Sequence, residues 1–392
     1  MSITTTSKKI LVLGLGGAGC ASIARIAPKA PDGMDFAIMD CDVQTLDSTV
    51  EREAPLSRGS DPRERQTCAP IESRIAVGKA VTDGLSAGGD LEIGRRCAES
   101  SVSQIETLLS GVDLLLVVAG LGGGFGSGAA PVIARMARSF GAHTLFFSIL
   151  PFDFEGGVVR AKAHNSLRRL RTYADAIVQM PNKRIQPDGD TLLTDSFDRS
   201  GRTVAAGVVG LWRLLSHPGL CNLDFADLHT MLHYCDATCR FSCATATGEG
   251  RAKALIDALH AHPLANKGSI FKEAPGLIVG ITGGEDLTLA EAQQIMESIV
   301  PDNEECWVKM GIAIDPAFSG RLSAMVLAAE AWRQPLVDDG HGGLKPIEGK
   351  EGQGELDFKP RSRTFGGSER TIWRGEDLDI PTYLRRKIKL PR

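Results

Sequence analysis

Several features are missing from this chain, and each absence removes a class of function. In 392 residues no apolar run approaches the roughly 18 needed to cross a bilayer as a helix. The opening MSITTTSKKI lacks the apolar stretch of a secretory signal and leads directly into a strand. There is no basic excess. The formal net charge is -4, which argues against a general nucleic-acid binder. Nine cysteines, an odd number scattered through a long chain, do not form the even framework of a disulfide-stapled protein and fit a reducing cytoplasm. What remains is ordinary for a globular protein: 43% hydrophobic and 23% charged residues, enough for a substantial core. The length suggests two domains with appendages.

Strands and amphipathic helices alternate through the first half, the pattern of a parallel α/β sheet covered on both faces. Strands are expected over residues 10–13, 34–39, 112–119 and 143–150, with helices over 20–26, 129–140, 158–173 and 203–215. Pro131 is expected in the first turn of its helix, where proline is tolerated. Residues 52–66, broken by Pro55, Gly59 and Pro62, read as an exposed loop. A second α/β unit begins near Cys235, with strands over 276–282, 306–314 and 322–328 and helices over 251–260 and 289–299. From 333 to 375 the chain is rich in Gly, Pro and charge and reads as a flexible linker. Order is expected to return over 377–392, where Leu378, Ile380, Tyr383 and Leu384 share one apolar face.

Two glycine-rich loops carry the chemistry. Gly14-Leu15-Gly16-Gly17-Ala18-Gly19 follows a strand and opens a helix, so its amides and the helix N-terminus suit a phosphate. Alone, with Asp40 some way on, it also fits a Rossmann dinucleotide site or an empty tight turn. The second loop, Gly120-Leu121-Gly122-Gly123-Gly124-Phe125-Gly126-Ser127-Gly128, again joins a buried strand to a helix. Two such loops at neighbouring strand ends suggest a polyphosphate held from both sides. Asn222, Asp224 and Asp227 form a separate acidic stretch, read either as groups that orient water and a cation or as a helix cap.

Residues 122–128 resemble the tubulin/FtsZ signature loop, usually GGGTGTG or GGGTGSG. Other segments resemble FtsZ in the same order along nearly the whole chain. They are residues 14–21, Asp83-Gly84-Leu85-Ser86-Ala87-Gly88-Gly89, Pro151-Phe152-Asp153-Phe154-Glu155-Gly156, Met180-Pro181-Asn182 and residues 218–227. The resemblance implies a parallel-sheet nucleotide-binding domain (1–202), a long central helix with an acidic loop (203–234) and a smaller α/β domain (235–332). A linker (333–376) and a terminal peptide (377–392) would follow.

It further implies a GTPase of cell division that binds GTP or GDP with Mg²⁺ and polymerises head to tail, in the cytoplasm at mid-cell. The nucleotide would meet Gly16, Gly17, Ala18, Gly19, Cys20, Ala21, Asp42, Gly88, Gly89 and Gly122, Gly123, Gly124, Phe125, Gly126, Ser127 and Gly128. Glu155, Arg160, Asn182, Phe197 and Gly201 would complete that side. Asn222, Asp224 and Asp227 would act on the nucleotide of the next subunit. Asp379, Ile380, Pro381, Tyr383, Leu384 and Arg385 would dock on membrane-tethering and regulatory proteins, leaving only an indirect link to the membrane and none to nucleic acid.

Departures are specific. Ala21 replaces a usual Asn, Phe125 a usual Thr and Gly201 a usual Asp or Asn. One extra residue separates Glu155 from Arg160, and residues 51–70 are longer than usual. These changes keep open a nucleotide-binding scaffold with weak hydrolysis or altered base preference, alongside the Rossmann oxidoreductase. His229, His233, Cys235, Cys239 and Cys243 contain metal-binding residue types, but Cys235 and Cys239 fall where helix gives way to strand and the resemblance implies no metal there, so ordinary packing is expected.

Overall fold

The computed structural model describes residues 8–31, 33–53, 71–185, 193–216, 221, 223–234, 237–300 and 306–331, with four short strands beyond them. Residues 51–70, Asn222 and the tail peptide from Asp379 to Arg385 therefore lie wholly or mostly outside the described residues.

The chain opens with β1 (Ile10–Leu15), α1 (Gly16–Ile26), β2 (Asp35–Asp40), α2 (Val43–Glu53) and β3 (Ile71–Ala76). Three helices follow, α3 (Lys79–Thr82), α4 (Leu91–Glu99) and α5 (Val102–Leu109). Next come β4 (Leu114–Gly120), α6 (Gly124–Ser139), β5 (His143–Leu150), α7 (Gly157–Leu170), β6 (Ala176–Pro181) and α8 (Asn182–Ile185). The long α9 (Leu193–Ser216) and α10 (Phe225–Tyr234) lead into β7 (Ala237–Thr247), α11 (Arg251–Ala261) and α12 (Ser269–Glu273). The series ends with β8 (Gly276–Gly283), α13 (Leu289–Ile299), β9 (Trp307–Ile314) and β10 (Arg321–Ala329).

All ten strands form one sheet in the order β3-β2-β1-β4-β5-β6-β7-β10-β8-β9. Every pairing is parallel except those of β10, which runs against β7 and β8. The unbroken apolar run of β4 explains its central place, because a parallel strand covered on both faces needs no polar alternation. Its side chains divide between two cores by the two-residue period. Leu114, Leu116 and Val118 join α1 and α9 on one face. Leu115, Val117 and Ala119 join α6 on the other.

Helix boundaries differ from expectation in ways that have causes. The second glycine loop contributes its latter half to α6, which begins at Gly124 rather than at 129. Pro131 therefore lies inside the helix, not in its first turn. Interior proline cannot donate to the carbonyl four residues back, here Ser127. That carbonyl accepts instead from Ser166 Oγ of α7 at 2.7 Å, so the lost helical bond is replaced within the core. Helix α1 likewise begins at Gly16, and α9 begins at Leu193. At 24 residues α9 is about 36 Å long. In the stretch expected as a linker, β11 (Leu336–Asp338) pairs with β12 (Leu344–Pro346), and β13 (Ile372–Trp373) pairs with β14 (Glu376–Asp377).

An ion cluster ties α11 to α13. Arg251, whose side chain is 7% exposed, donates to Glu291 at 2.7 Å and to Asp286 at 2.6 Å. The Arg251 guanidinium holds the Glu291 carboxyl down at about 2, against an ordinary 4.5. A depressed carboxyl stabilises the fold above its unfolded value, and that contribution is lost as pH falls from 4.5 towards 2. Glu291→Gln should lower stability at pH 7 by roughly 1.5–3 kcal/mol, the range for hydrogen bonds to charged groups. Urea denaturation at pH 7 and pH 3 should show the gap to the parent narrowing at the lower pH.

Candidate functional site

The strand order 3-2-1-4-5-6 reverses direction between β1 and β4, and a crevice opens where the connections part to opposite faces. Here α1 leaves toward one core and α6 toward the other. Their loops touch backbone to backbone. A Cβ on Gly126 would lie 2.5 Å from the Gly120 carbonyl oxygen, and one on Gly16 would lie 3.1 Å from Gly126 Cα. Gly16 also holds φ +74, a left-handed value that favours glycine. A cleft of about 910 Å³ opens above this junction.

Of the expected nucleotide residues, Gly16, Gly17, Ala18, Ala21, Asp42, Gly89, Gly123, Gly124, Phe125, Gly126, Glu155, Asn182 and Gly201 line the cleft. Others stand behind it or beside it. Gly19 faces the Val118 carbonyl of β4, and Gly128 faces the backbone of α4, so both glycines permit close packing rather than ligand approach. The Cys20 thiol is buried against the carbonyls of Gly14 and Met39, and burial raises its pKa. Ser127 is buried, and its Oγ accepts from Gly122 N at 2.7 Å, which fixes the loop from within. Gly88 lies in a neighbouring hollow with Lys162. Arg160 does not line the cleft, because its guanidinium is engaged by Asp153 at 2.9 Å. Phe197 belongs to α9, and its side chain lies outside the described residues.

The expectations missed several lining residues, including Ser22, Arg25 and Thr45. Arg25 was legible by helical spacing, four residues after Ala21 and eight after Gly17. Phe125 departs from the family pattern without closing the cleft. The residue is 5% exposed and belongs to the core around α6 as well as to the cleft lining.

Among the described lining residues the carboxylates are Asp40, Asp42 and Glu155, and Arg25 is the single cation. Asp40 Oδ1 accepts from the amides of Cys41 at 2.7 Å and Asp42 at 3.2 Å, while burial pushes its pKa up. Asp42 accepts from Gln44 N at 3.0 Å and Thr45 Oγ1 at 2.9 Å, capping α2. Glu155 accepts from Phe152 N at 2.7 Å. The floor of the cleft thus offers amides and two helix N-termini, a setting for an anionic chain.

The acidic stretch lies elsewhere. Asp224 caps α10: its Oδ1 accepts from Asp227 N at 2.8 Å, and Asp224 N donates back to Asp227 Oδ2 at 3.4 Å. Lys309 of β9 pairs with Asp227 at 2.7 Å. Asp224 remains exposed. Further along α10, His229 meets the ring of His143 edge-on at 4.6 Å between centroids. His143 begins β5, whereas Leu150 at its far end lines the cleft. Seven residue steps along the strand separate them by about 23 Å. The capping geometry is present, then, at the pole opposite the glycine loops.

Residues 9–188 match the model of the tubulin/FtsZ family GTPase domain, and residues 239–331 match the FtsZ family C-terminal domain. The cell division protein FtsZ of Coxiella burnetii is 30% identical over 397 aligned positions, covering 96% of each chain. The chain belongs to the FtsZ family. As a member of that family it is a cell-division GTPase whose GTPase domain binds guanine nucleotide. FtsZ 2 of Rhizobium meliloti is 33% identical, covering 83% of this chain and 89% of that protein. A solved structure titled as an empty FtsZ dimer from M. jannaschii is 27% identical with a TM-score of 0.71, covering 90% of this chain and 96% of that one. CetZ2 of Haloferax volcanii shares the fold at 21% identity and a TM-score of 0.63, covering 82% and 93%.

In this FtsZ-family chain, Cys239 is buried in the core, and Cys243 Sγ lies 3.9 Å from His262 Nε2. His233 and Cys235 lie outside the described side chains. Among the described residues no group of three or more His, Cys, Asp or Glu is placed to hold a metal, and no helix is long and apolar enough to cross a membrane.

Gly123 separates ligand effects from folding effects. It caps α6 at φ -77, ψ 176, values any residue adopts, and a Cβ there would meet nothing within 4 Å. Gly123→Ala should leave thermal stability nearly unchanged, yet weaken GDP binding at least about tenfold by intruding on the amide floor. Calorimetry and a melting curve on the same preparation check both halves.

Proposed function

We propose that this chain polymerises head to tail and hydrolyses GTP only where the cleft of one subunit meets the acidic loop of the next. The observation that supports this reading is the separation of the two elements. Gly201 lines the cleft and Ser216 ends the same helix, a span of about 22 Å. Neither Asp224 nor Asp227 reaches its own cleft, so each would serve a stacked neighbour. A contact between unlike poles does not close on itself and generates an open filament. The solved FtsZ dimer and CetZ2 protofilament lend support from relatives.

Asn222, Asp224 and Asp227 would orient the attacking water, and GTP hydrolysis needs mainly such positioning with charge neutralisation. Mg²⁺ fits as an ion carried on the phosphates with one or two carboxylates, since Asp40 and Asp42 adjoin the cleft and the described residues form no dedicated cage. Bound there, it would neutralise charge on the phosphate chain. The nucleotide residues proposed are those lining the cleft, with Phe197 beside Gly201. The peptide around Asp379, Ile380, Pro381, Tyr383, Leu384 and Arg385 would recruit tethering and regulatory proteins, and the site of action would be the cytoplasmic mid-cell ring.

Asp224→Asn tests the assignment without disturbing the cap, because asparagine caps helices as well as aspartate. The variant should bind GDP normally and form pelletable polymer with GTP, yet release phosphate at least about a hundredfold more slowly, the scale of removing a positioned catalytic group. Mixing it with Gly123→Ala should restore turnover, because the intact loop of one would sit over the intact cleft of the other. Unchanged turnover in Asp224→Asn, or phosphate release strictly linear in protein concentration, would refute shared sites. Filaments with negligible release from the parent protein would favour the weakly hydrolysing scaffold.

A further inference from the structure

Helix α7 turns one side toward the glycine loops. Val159, Lys162 and Ser166 are three and four residues apart, so they share a face of the helix. Each meets a different segment. Val159 covers Gly122, where an added Cβ would come within 2.6 Å of its side chain. Ser166 Oγ donates to the Ser127 carbonyl at 2.7 Å. Lys162 Nζ donates to the Gly89 carbonyl at 2.6 Å, across 73 residues of sequence. One helix face therefore holds both the signature loop and the segment that precedes α4.

That segment ends in a tight turn. Asp90 N donates to the Ala87 carbonyl at 2.9 Å, and the residues between, Gly88 and Gly89, hold φ +57 and +77. Positive φ at both central positions belongs to a type I′ turn, which glycine enters without strain. The turn abuts the start of α6: a Cβ on Gly124 would lie 2.9 Å from both Ala87 Cβ and Asp90 N. Gly89 lines the cleft on one side and the neighbouring hollow on the other, whereas Lys162 is half-buried and lines the hollow and not the cleft. A carbonyl turned into the cleft would repel phosphate oxygens. The ammonium instead holds the Gly89 carbonyl on the hollow side through a charge-assisted bond. Among the described residues no group accepts from Gly89 N, so the turn keeps an unspent donor beside the amide floor.

We propose that Lys162 is a positioning residue for the last phosphate of the nucleotide: by fixing the Gly89 carbonyl in the hollow, it presents the Gly89 amide to a triphosphate that a diphosphate does not reach. The inference rests on the guanine-nucleotide reading above and specifies how the third phosphate is told from the second. The floor spans the N-termini of α1 and α6, and the turn abuts α6, so a phosphate chain lying along the floor ends against the turn. Lys162 acts there through the backbone and does not touch the nucleotide. Without it the turn keeps its own bond from Asp90 to Ala87, so the fold survives while the placement of the turn relaxes. The cost of its removal therefore falls on the triphosphate alone.

Affinities of the full chain for GTPγS and GDP, measured at protein concentrations that give no pelletable polymer, test this. Lys162→Met should weaken GTPγS by at least about tenfold, the lower end for a hydrogen bond to a charged group, while GDP stays within about threefold of the parent. Lys162→Arg should recover part of the loss, because a guanidinium can still donate to the carbonyl. Gly88→Ala disturbs the same turn by another route: an added Cβ meets nothing within 4 Å, but φ +57 is strained for alanine. It should also weaken GTPγS selectively, and adding Lys162→Met to it should cost no more than about threefold further, since coupled sites are not additive. Equal losses for GTPγS and GDP in Lys162→Met would overturn the proposal by giving the lysine a general structural or electrostatic role. Unchanged GTPγS affinity, or losses that multiply in full in the double variant, would overturn it as well. If the parent protein binds neither nucleotide, the nucleotide reading itself fails, a result distinct from these.

Discussion

The close approach of two glycine loops is the constraint on which the site depends. A side chain at Gly126 would strike the carbonyl of Gly120, and one at Gly19 would come within 2.3 Å of the Val118 carbonyl. Without those glycines α1 could not lie on β4, and the two helix N-termini could not converge at one crevice. Convergence matters because a single N-terminus attracts an anion only modestly, with roughly half a unit charge at its tip. Two, sharing a floor of amides, can hold a phosphate chain with few side-chain cations. The described lining is consistent with that economy, since Arg25 is its one cation and sits away from the floor.

That arrangement also explains why the signature loop tolerates change. Its glycines divide into those that face the cleft and those that face protein. Gly123 meets open space, whereas Gly128 lies against α4. Ser127 serves the interior twice: its Oγ accepts from Gly122, and its carbonyl takes a hydroxyl from α7 because Pro131 cannot supply a helical amide. Phe125 turns inward to the core, so exchanging a hydroxyl for a ring there alters packing more than the cleft wall. The backbone carries the ligand-facing role, and backbone is indifferent to side-chain identity wherever the side chain finds another place.

The same division marks how much the sequence could reveal. Buried strands such as β4 were legible because an apolar run between glycines has few alternatives, whereas the strand order that places the switch point came only with the fold. Helix starts were read too late, at 129 for α6 and 203 for α9. Glycine and polar residues depress helix propensity, yet tertiary packing on the sheet overrides it. A motif alone could not separate cleft-facing glycines from packing glycines, since both need a missing Cβ. Arg25 is a different kind of omission. Its helical spacing from Gly17 and Ala21 was legible, whereas its approach to Gly201, distant in sequence, exists only in the fold.

Polarity of the molecule follows from one rigid rod. Helix α9 begins beside the cleft and ends before the acidic loop, burying Val204, Val208, Leu211 and Leu214 in the sheet's core along the way. A rod packed so continuously cannot bend enough to bring Asp224 back to its own nucleotide. The reciprocal cap and the Lys309 pair hold Asp224 and Asp227 in a set geometry while Asp224 stays exposed. On the proposed reading, this is pre-organisation: the loop is shaped before a neighbour arrives, so assembly need only supply proximity. Hydrolysis would then report assembly because the distance is fixed by a helix and not by a flexible hinge.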